Sequence, residues 1–485
     1  MIRSGLGVQV ASELAELKSS LIPGQFLAKV ANLAWRVNRA QLGLRLIYPA
    51  LGRSAELRVA DPELFAEFAA CLLEVGAMAE SKLMLAKVAS NYPRAQFYRA
   101  LLCFKEWDYE SACPILESYL HTLEPSYHRF VVEVNLASAL VFTRQYERAK
   151  KLLQELKPQL QKNELTLLYG NCLEIESQIH FHLSQHQAAL DVLDQASNLL
   201  SKTRNMGWLY SEKWKFLNRM ALEPNNSSKF FDQYVDLKQL ASEMASWETV
   251  RELDLHWALH FKDYTRLTHV YFGSPFKNYR QQVKQKAAAI DFDLEKVPSY
   301  DFQNADSVVI VSDANMRSIE ELVLLDGESL HNWLPKKLLL VLLSDFYAPF
   351  RTGQLFSKLF DGQHYDPESS PDKVFQAVAR LREQGRKNSM FDVIKTNEGY
   401  RLKLNNLQGI RLPQFLLSDL ILERDSLYGE ILRTTYRDKL FTSSDVSQRF
   451  GGSVRTANRI LKSLTATQQV KTVGRGRAVR YKLAG

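Results

Sequence analysis

The residues best placed to do chemistry are the basic ones near the C-terminal end of the chain. The 485 residues carry a net charge of +8. Residues 411–485 hold fourteen lysines and arginines against six acidic residues, so this stretch accounts for the whole excess. Such a concentrated excess of positive charge is typical of a surface that binds a polyanion. No acidic residue follows Asp445, whereas nine basic residues do: Arg449, Arg455, Arg459, Lys462, Lys471, Arg475, Arg477, Arg480 and Lys482.

These cations lie in a segment whose pattern predicts a folded unit rather than a solvated tail. It predicts a helix opened by Pro413, a short helix, a turn, a longer helix that begins after Ser453, and a two-stranded hairpin. Together these elements fill residues 411–485. In the longer helix the apolar residues recur at i, i+3, i+4 and i+7 and predict a buried stripe: Ala457, Ile460, Leu461 and Leu464.

The polar residues of that helix lie off the stripe and are expected to face a ligand. A helix in the major groove presents its first turns to base edges, and arginine there pairs with guanine. Glycines in the hairpin turn let neighbouring arginines approach phosphates or a minor groove. A protein-docking hairpin and an RNA ligand are the alternatives. The residues expected to contact DNA are Ser453, Arg455, Thr456, Asn458, Arg459, Lys462, Arg475 and Arg477. The layout resembles bacterial winged-helix repressors in general form.

A second unit of similar layout is predicted over residues 307–405. A strand at 308–311 and a hairpin around Asp326-Gly327 come first. An apolar helix from Pro335, a short helix capped by Thr352, a third helix after Ser370 and a hairpin between residues 391 and 404 follow. In the third helix, Val374, Val378 and Leu381 form the buried stripe. The DNA contacts expected here lie off it or in the hairpin: Lys373, Gln376, Arg380, Lys387 and Arg401.

This unit resembles the effector domain of OmpR/PhoB-type response regulators. The likeness is carried by Leu-Pro-Lys-Lys at 334–337, Val-Ala-Arg-Leu-Arg at 378–382 and Gly-Tyr-Arg-Leu at 399–402. It implies DNA binding through the third helix. Asp372 stands where the family often has a basic residue, and no phospho-acceptor receiver precedes the unit. A role in protein contact alone is therefore the alternative.

Residues 1–290 read as almost continuous helix, and part of that stretch repeats. Three segments share a turn residue, a small residue three positions later and a leucine four positions further on. Nine residues before each turn residue stands another small one: Ala100, Ala137 and Ser177. Small residues at fixed places let the two helices of a hairpin approach closely. The three segments are Tyr109/Ala112/Leu116, Tyr146/Ala149/Leu153 and His186/Ala189/Leu193.

The repeated segments resemble the tetratricopeptide (TPR) repeat over about residues 93–203. The resemblance implies stacked helical hairpins with a surface for a protein or peptide partner. Another kind of α-solenoid is the alternative, since the usual tryptophan, glycine and proline positions are mostly absent.

No enzymatic or cofactor motif is found. The chain has no phosphate-binding loop, dinucleotide fingerprint, zinc-protease motif or nucleophile elbow. His180, His182 and His186 are close enough in sequence to bind a metal, but packing is the expected role. The cysteines lack C-x-x-C spacing and are expected to be buried thiols: Cys71, Cys103, Cys113 and Cys172. We expect no catalysis, no metal and no cofactor.

The predicted fold class is mainly α. A TPR-like α-solenoid at 1–290 is followed, after a linker at 288–306, by two winged-helix (α+β) domains at 307–405 and 411–485. The longest aliphatic run is far shorter than the roughly 20 residues that span a bilayer. The first 30 residues lack the apolar core of a signal peptide, so we expect a cytoplasmic protein that does not contact membranes.

The function expected from the sequence is that of a DNA-binding transcriptional regulator that binds double-stranded DNA. Its helical array would sense a protein or peptide partner, or mediate self-association such as a homodimer. The alternative is an adaptor in which every module docks another protein.

Overall fold

The computed structural model describes residues 7–484 except 18–21, 57–60, 202–205, 224–225, 304–315, 320–321, 323–332, 388, 406–407, 419–423, 438, 451–452 and 475–478. The described chain is mainly α-helical, as predicted, with short sheets near its C-terminal end. It divides into two compact units. Unit 1 comprises residues 1–271, 276–292 and 364–368, and unit 2 comprises residues 272–275, 293–363 and 369–485.

Helices α1–α16 form unit 1, and consecutive helices pack against each other as a series of antiparallel pairs. Their bounds are α1 Gly7–Ala15, α2 Gly24–Arg36, α3 Ala40–Glu56, α4 Pro62–Val75, α5 Met78–Ala86, α6 Pro93–Lys105, α7 Tyr109–Leu120, α8 Tyr127–Phe142, α9 Tyr146–Lys162, α10 Thr166–His182, α11 His186–Leu200, α12 Met206–Leu222, α13 Ser227–Glu243, α14 Trp247–Phe261, α15 Tyr264–Phe272 and α16 Lys277–Ala288.

The turns inside three of these pairs share one backbone geometry. Trp107, Arg144 and Ser184 adopt left-handed φ angles of 58°, 59° and 59°, each two residues before the next helix begins. The following N–H donates to the carbonyl five residues earlier, at 2.8 Å in every case. This bond ends the first helix and reverses the chain. The predicted turn residues are the first residues of α7, α9 and α11: Tyr109, Tyr146 and His186.

The small residues of the predicted repeat lie between helices. Each is fully buried, and the leucines four positions after the second small residue are at most 1% exposed. The helices pack so closely at these residues that a larger side chain would have to push the paired helices apart. The prediction of a helical repeat over this segment is therefore confirmed at the level of packing. The buried small residues are Ala100, Ala112, Ala137, Ala149, Ser177 and Ala189.

The cysteines and the histidine cluster act as packing residues. All four cysteines are free thiols, three of them buried and Cys103 half-buried. His180 Nδ1 lies 2.7 Å from Gln185 Oε1, and His186 Nδ1 lies 3.0 Å from Asn218 Oδ1. His182 stacks on Tyr146, so the three imidazoles have separate partners. Among the described residues, no helix is both long and apolar enough to cross a bilayer.

Unit 2 contains six described helices and seven strands. The helices are α17 Trp333–Leu342, α18 Thr352–Leu359, α19 Ser370–Lys387, α20 Arg424–Thr435, α21 Ser443–Phe450 and α22 Val454–Ala466. The strands are β1 Ser299–Phe302, β2 Met316–Ser318, β3 Phe391–Lys395, β4 Tyr400–Leu404, β5 Gly409–Pro413, β6 Val470–Val473 and β7 Arg480–Leu483. Short 3₁₀ turns form at Leu294–Lys296 and Gln414–Leu417.

A three-stranded sheet in unit 2 corrects two expectations. Strand β5 pairs antiparallel with β1 and parallel with β2. Residues 299–302, expected to be part of an irregular linker, therefore form a strand. Pro413, expected to open a helix, is the last residue of β5 and lies opposite Ser299. Arg411 Nε and Nη2 bind the two carboxylate oxygens of Asp301 at 2.8 and 3.0 Å, which ties β5 to β1.

The segment before α17 also differs from expectation. Ile319 and Leu322, expected in a strand, are helical, and Trp333 begins α17 instead of ending a hairpin. The strand expected at 308–311 and the turn at Asp326-Gly327 lie outside the described residues. Thr352 is the first residue of α18 and not its cap. The preceding Arg351 caps the helix, and its N–H donates to Gln354 Oε1 at 2.8 Å.

We predict that Gly385→Ala destabilises the contact between α19 and β3. Alanine usually stabilises a helix interior by about 1 kcal/mol relative to glycine. A Cβ at position 385, however, would lie 2.3 Å from the Phe391 carbonyl oxygen. Because that oxygen belongs to the backbone of β3, we expect the opening free energy of α19 and β3 to fall by about 1–3 kcal/mol. Hydrogen exchange resolved by mass spectrometry measures this change.

The control is Gly24→Ala, at a helical position with no atom within 4 Å of the new Cβ. Its effect should stay within about 0.5 kcal/mol. Unchanged or slower exchange across α19 and β3 in Gly385→Ala would contradict the close packing described here.

Candidate nucleic-acid interface

Unit 2 contains two modules with the same succession of elements. Module I (residues 333–363 and 369–404) contains α17–α19 and the β3–β4 hairpin, and module II (residues 424–483) contains α20–α22 and the β6–β7 hairpin. In each, a residue two positions before the second helix forms an antiparallel bridge with the last strand. Phe350 exchanges two backbone hydrogen bonds with Tyr400, at 2.8 and 2.9 Å, and Phe441 does the same with Tyr481, at 3.0 and 2.8 Å. The bridge fixes the hairpin beside the helices.

Helix α22 separates its apolar and polar residues onto opposite faces. The predicted stripe of Ala457, Ile460, Leu461 and Leu464 is at most 2% exposed, so that prediction is confirmed. Because the helix repeats every 3.6 residues, a second stripe shifted by two positions must point away from the core. That second stripe has the same i, i+3, i+4, i+7 spacing and is exposed throughout: Arg455, Asn458, Arg459 and Lys462.

The start of α22 is fixed by its own cap. The Ser453 hydroxyl oxygen accepts a hydrogen bond from the Thr456 N–H at 3.2 Å. Ser453 is exposed and Thr456 is half-buried, and both lie in the first turn beside Arg455. The helix N-terminus adds a partial positive charge there. The two predicted contact residues therefore shape the end of the helix that would meet a polyanion.

The basic residues from α22 to β7 lack counter-charges among the described residues. Asp445, the last acidic residue of the chain, is engaged at the start of α21, where it accepts from the Thr442 N–H at 2.7 Å and from its hydroxyl at 2.8 Å. The exposed cations of α22, β6 and β7 form no ion pair with any described residue: Arg455, Arg459, Lys462, Lys471, Arg480 and Lys482. Arg475 and Arg477, also predicted to contact DNA, lie outside the described residues. Cations displayed in this way attract phosphate.

Module I also presents a polar face, but most of its cations are engaged. Val374, Val378 and Leu381 are buried as predicted. The predicted residues Lys373, Gln376, Arg380 and Lys387 are all exposed on α19.

The engaged cations of module I bind groups of the module itself. Lys373 Nζ donates to Gln363 Oε1 at 3.0 Å, and Lys387 pairs with Glu383 at 2.9 Å. Arg401 is half-buried and donates to the Phe346 carbonyl oxygen at 3.3 Å. Of the predicted cations in this module, Arg380 alone has no polar partner among the described residues.

Two arginines outside the predicted set attach the hairpin of module I to α19. Arg382 Nε donates to the Val393 carbonyl oxygen at 2.6 Å. Arg386 pairs with Asp392 at 3.3 Å. The two arginines of the Arg-Leu-Arg motif therefore differ in role: Arg380 is exposed to solvent, whereas Arg382 binds the backbone of β3. Sequence spacing does not distinguish the two roles.

Sequence reasoning also missed two exposed apolar residues on the long helices. Phe375 in α19 is 42% exposed and Val454, the first residue of α22, is 46% exposed. Apolar side chains in a major groove contact the thymine methyl group. The sequence contains a signal for both residues, because each is apolar yet lies off the buried stripe of its helix.

The chain matches no known protein-family model, and a search of the curated proteins finds no relative. The function must therefore be inferred from the residues and geometry of the chain itself.

Proposed function

We propose that this protein is a non-enzymatic, DNA-binding transcriptional regulator. In this proposal modules I and II are winged helices, and the helix pairs of unit 1 are a TPR-like array. The observation that carries it is the pair of opposed stripes on α22, one buried and one bearing Arg455, Arg459 and Lys462 without carboxylate partners. A groove-inserted helix needs this arrangement: an apolar face on the module core and long donors on the other side.

The two modules would contribute unequally. In module II the described cations of α22, β6 and β7 have no carboxylate partners, so their phosphate contacts would supply most of the affinity. In module I, Lys387 and Arg386 are neutralised by Glu383 and Asp392. Arg380 and Gln376 are then the residues of module I that would hydrogen-bond to base edges. Module II is thus proposed to dominate affinity, and module I to add sequence preference.

Unit 1 is proposed to sense a partner. Stacked helix pairs with buried small residues make a stable surface with room for a protein or peptide ligand. Self-association through the same surface is compatible with the proposal, since dimeric regulators bind two half-sites.

Replacing Arg455 and Arg459 together by alanine should abolish specific DNA binding. Each arginine–guanine pair discriminates by about 1–3 kcal/mol, so the double variant should bind a hundredfold or more weakly, as an order of magnitude. The duplex is first enriched from a random pool by the wild-type protein, and its affinity is then measured by fluorescence anisotropy. Thermal stability should be unchanged, because neither side chain has a described partner within the protein.

The matched control is Arg386→Ala/Lys387→Ala, which also removes two exposed cations, although each is paired with a carboxylate. It should weaken binding by less than about tenfold. Failure of the wild-type chain to enrich any duplex would favour an adaptor that docks proteins, and equal losses in both double variants would contradict the role proposed for α22.

The salt dependence of DNA binding should measure how many cations of module II contact phosphate. With about five phosphate contacts, log K should fall against log salt with a slope near −4 to −5. Lys462→Ala should reduce the slope by about one without changing the selected sequence, because a lysine–phosphate contact carries no base information. A slope close to zero would contradict phosphate binding by this surface. Lys150→Ala, which removes an exposed lysine of α9 in unit 1, is the control, and its slope should match that of the wild type.

A further inference from the structure

The helix pairs of unit 1 enclose a cavity of about 560 Å³. Residues of α8, α10, α12 and α14, together with the turn between α6 and α7, line it. The volume falls within the range of pockets that take small ligands or single side chains. The residues of the DNA-binding proposal lie in unit 2, so this cavity has no part in that surface.

Aromatic rings form part of the cavity wall. Tyr109 stacks on Phe142 with ring centroids 4.2 Å apart and planes 6° apart, and Trp107 meets Phe142 edge-on at 5.8 Å. Tyr210 of α12 also lines the cavity. Trp107 is buried, and its indole nitrogen has no hydrogen-bond partner among the described residues. Ring faces attract ammonium and guanidinium groups.

Carboxylates outnumber cations in the same wall. Among the described residues of the lining, Glu174, Glu248 and Glu252 stand against one basic residue, Lys213. Glu174 and Glu252 are buried, and buried carboxylates are costly unless they are paired.

Burial and neighbouring groups shift the pKa values of two of these carboxylates in opposite directions. Burial raises the pKa of Glu174, which also accepts from Gln178 Nε2 at 2.8 Å. Burial opposes ionisation of Glu252, but the hydrogen bond with His256 and nearby lysine charges outweigh it and lower its pKa. The surroundings of Glu252 therefore favour its anionic form.

Cations already lie against neighbouring parts of this wall. Lys213 Nζ lies 4.5 Å from the centroid of the Trp214 ring. Helix α16 carries four basic residues and no acidic one. Its Tyr279 lies 4.5 Å from Trp107, and its Lys286 lines an adjoining cavity that shares Glu252. A basic segment of the chain thus packs beside the acidic wall and leaves the 560 Å³ cavity open.

We propose that this cavity binds an organic cation: the ammonium or guanidinium group of a free amine or of a basic peptide side chain. The aromatic rings of the wall and its carboxylates, which outnumber its cations among the described residues, provide complementary recognition for such a group. The inference rests on the sensor role proposed for unit 1 and names the chemistry of its ligand. It concerns the free protein, so its test requires no DNA.

The test is calorimetric titration of the full-length wild-type chain with three probes. The probes are spermidine, a capped Ala-Arg-Ala tripeptide and a capped Ala-Glu-Ala tripeptide. We expect saturable binding of at least one cationic probe and none of the glutamate peptide. Binding of spermidine alone identifies a free amine as the ligand type, whereas binding of the arginine peptide alone identifies a basic side chain.

Variants locate the binding in this cavity. Tyr210→Leu removes a ring and should weaken binding of the cation about twofold to thirtyfold, whereas Tyr210→Phe keeps the ring and should retain it. Glu248→Gln, at an exposed position of the lining, should weaken it about twofold to fivefold. Glu147→Gln changes an exposed glutamate of α9 outside the lining and should have no effect.

Three results would overturn the proposal: no saturable binding of either cationic probe, equal binding of the glutamate peptide, or unchanged affinity in both Tyr210→Leu and Glu248→Gln. Loss of DNA binding in the Arg455/Arg459 variant would leave the titration unaffected. The failure of one proposal is therefore distinguishable from the failure of the other.

Discussion

Burial of one apolar stripe on each long helix of the C-terminal modules decides which charges those modules display. Once Ala457, Ile460, Leu461 and Leu464 pack into module II, the period of the helix leaves Arg455 and Arg459 no orientation but outward. Rotating the helix would expose three aliphatic side chains and bury unpaired guanidinium groups. Each of these two changes is unfavourable, by a free energy on the order of several kcal/mol. The display of cations is thus a consequence of core packing.

The two modules share this constraint and differ in what surrounds it. Phe350–Tyr400 and Phe441–Tyr481 form equivalent bridges, so each hairpin is fixed beside its helices in the same way. The difference lies in the carboxylates: Glu383 and Asp392 neutralise cations of module I, and no acidic residue exists beyond Asp445 to do so in module II. One local architecture therefore presents two surfaces that differ in uncompensated positive charge, through composition alone.

The features predictable from sequence were those with a local cause. The stripes of α19 and α22, the strands β3, β4 and β6, and the chain reversals just before α7, α9 and α11 all follow from periodicity, capping or turn chemistry within about ten residues. The errors at residues 299–302 and at Pro413 came from long-range pairing. Residues 299–302 form a strand only because β5, more than a hundred positions later, lies beside them, and the same pairing makes Pro413 a strand residue. Likewise, spacing alone could not show that Arg382 and Arg401 bind backbone carbonyls while Arg380 does not.

The cavity of unit 1 bears on what the helical array can bind. Among the described residues, its carboxylates exceed its one lysine, so a phosphate backbone placed there would meet repulsion without compensating contacts. The cavity is therefore a poor candidate for an auxiliary DNA surface, and any ligand of the cavity should differ in charge from the polyanion proposed for module II. Taken together, the two proposals give one chain separate sites of opposite electrostatic preference, one for DNA and one for a cationic effector. A regulator that must respond to a signal while remaining on DNA requires that separation.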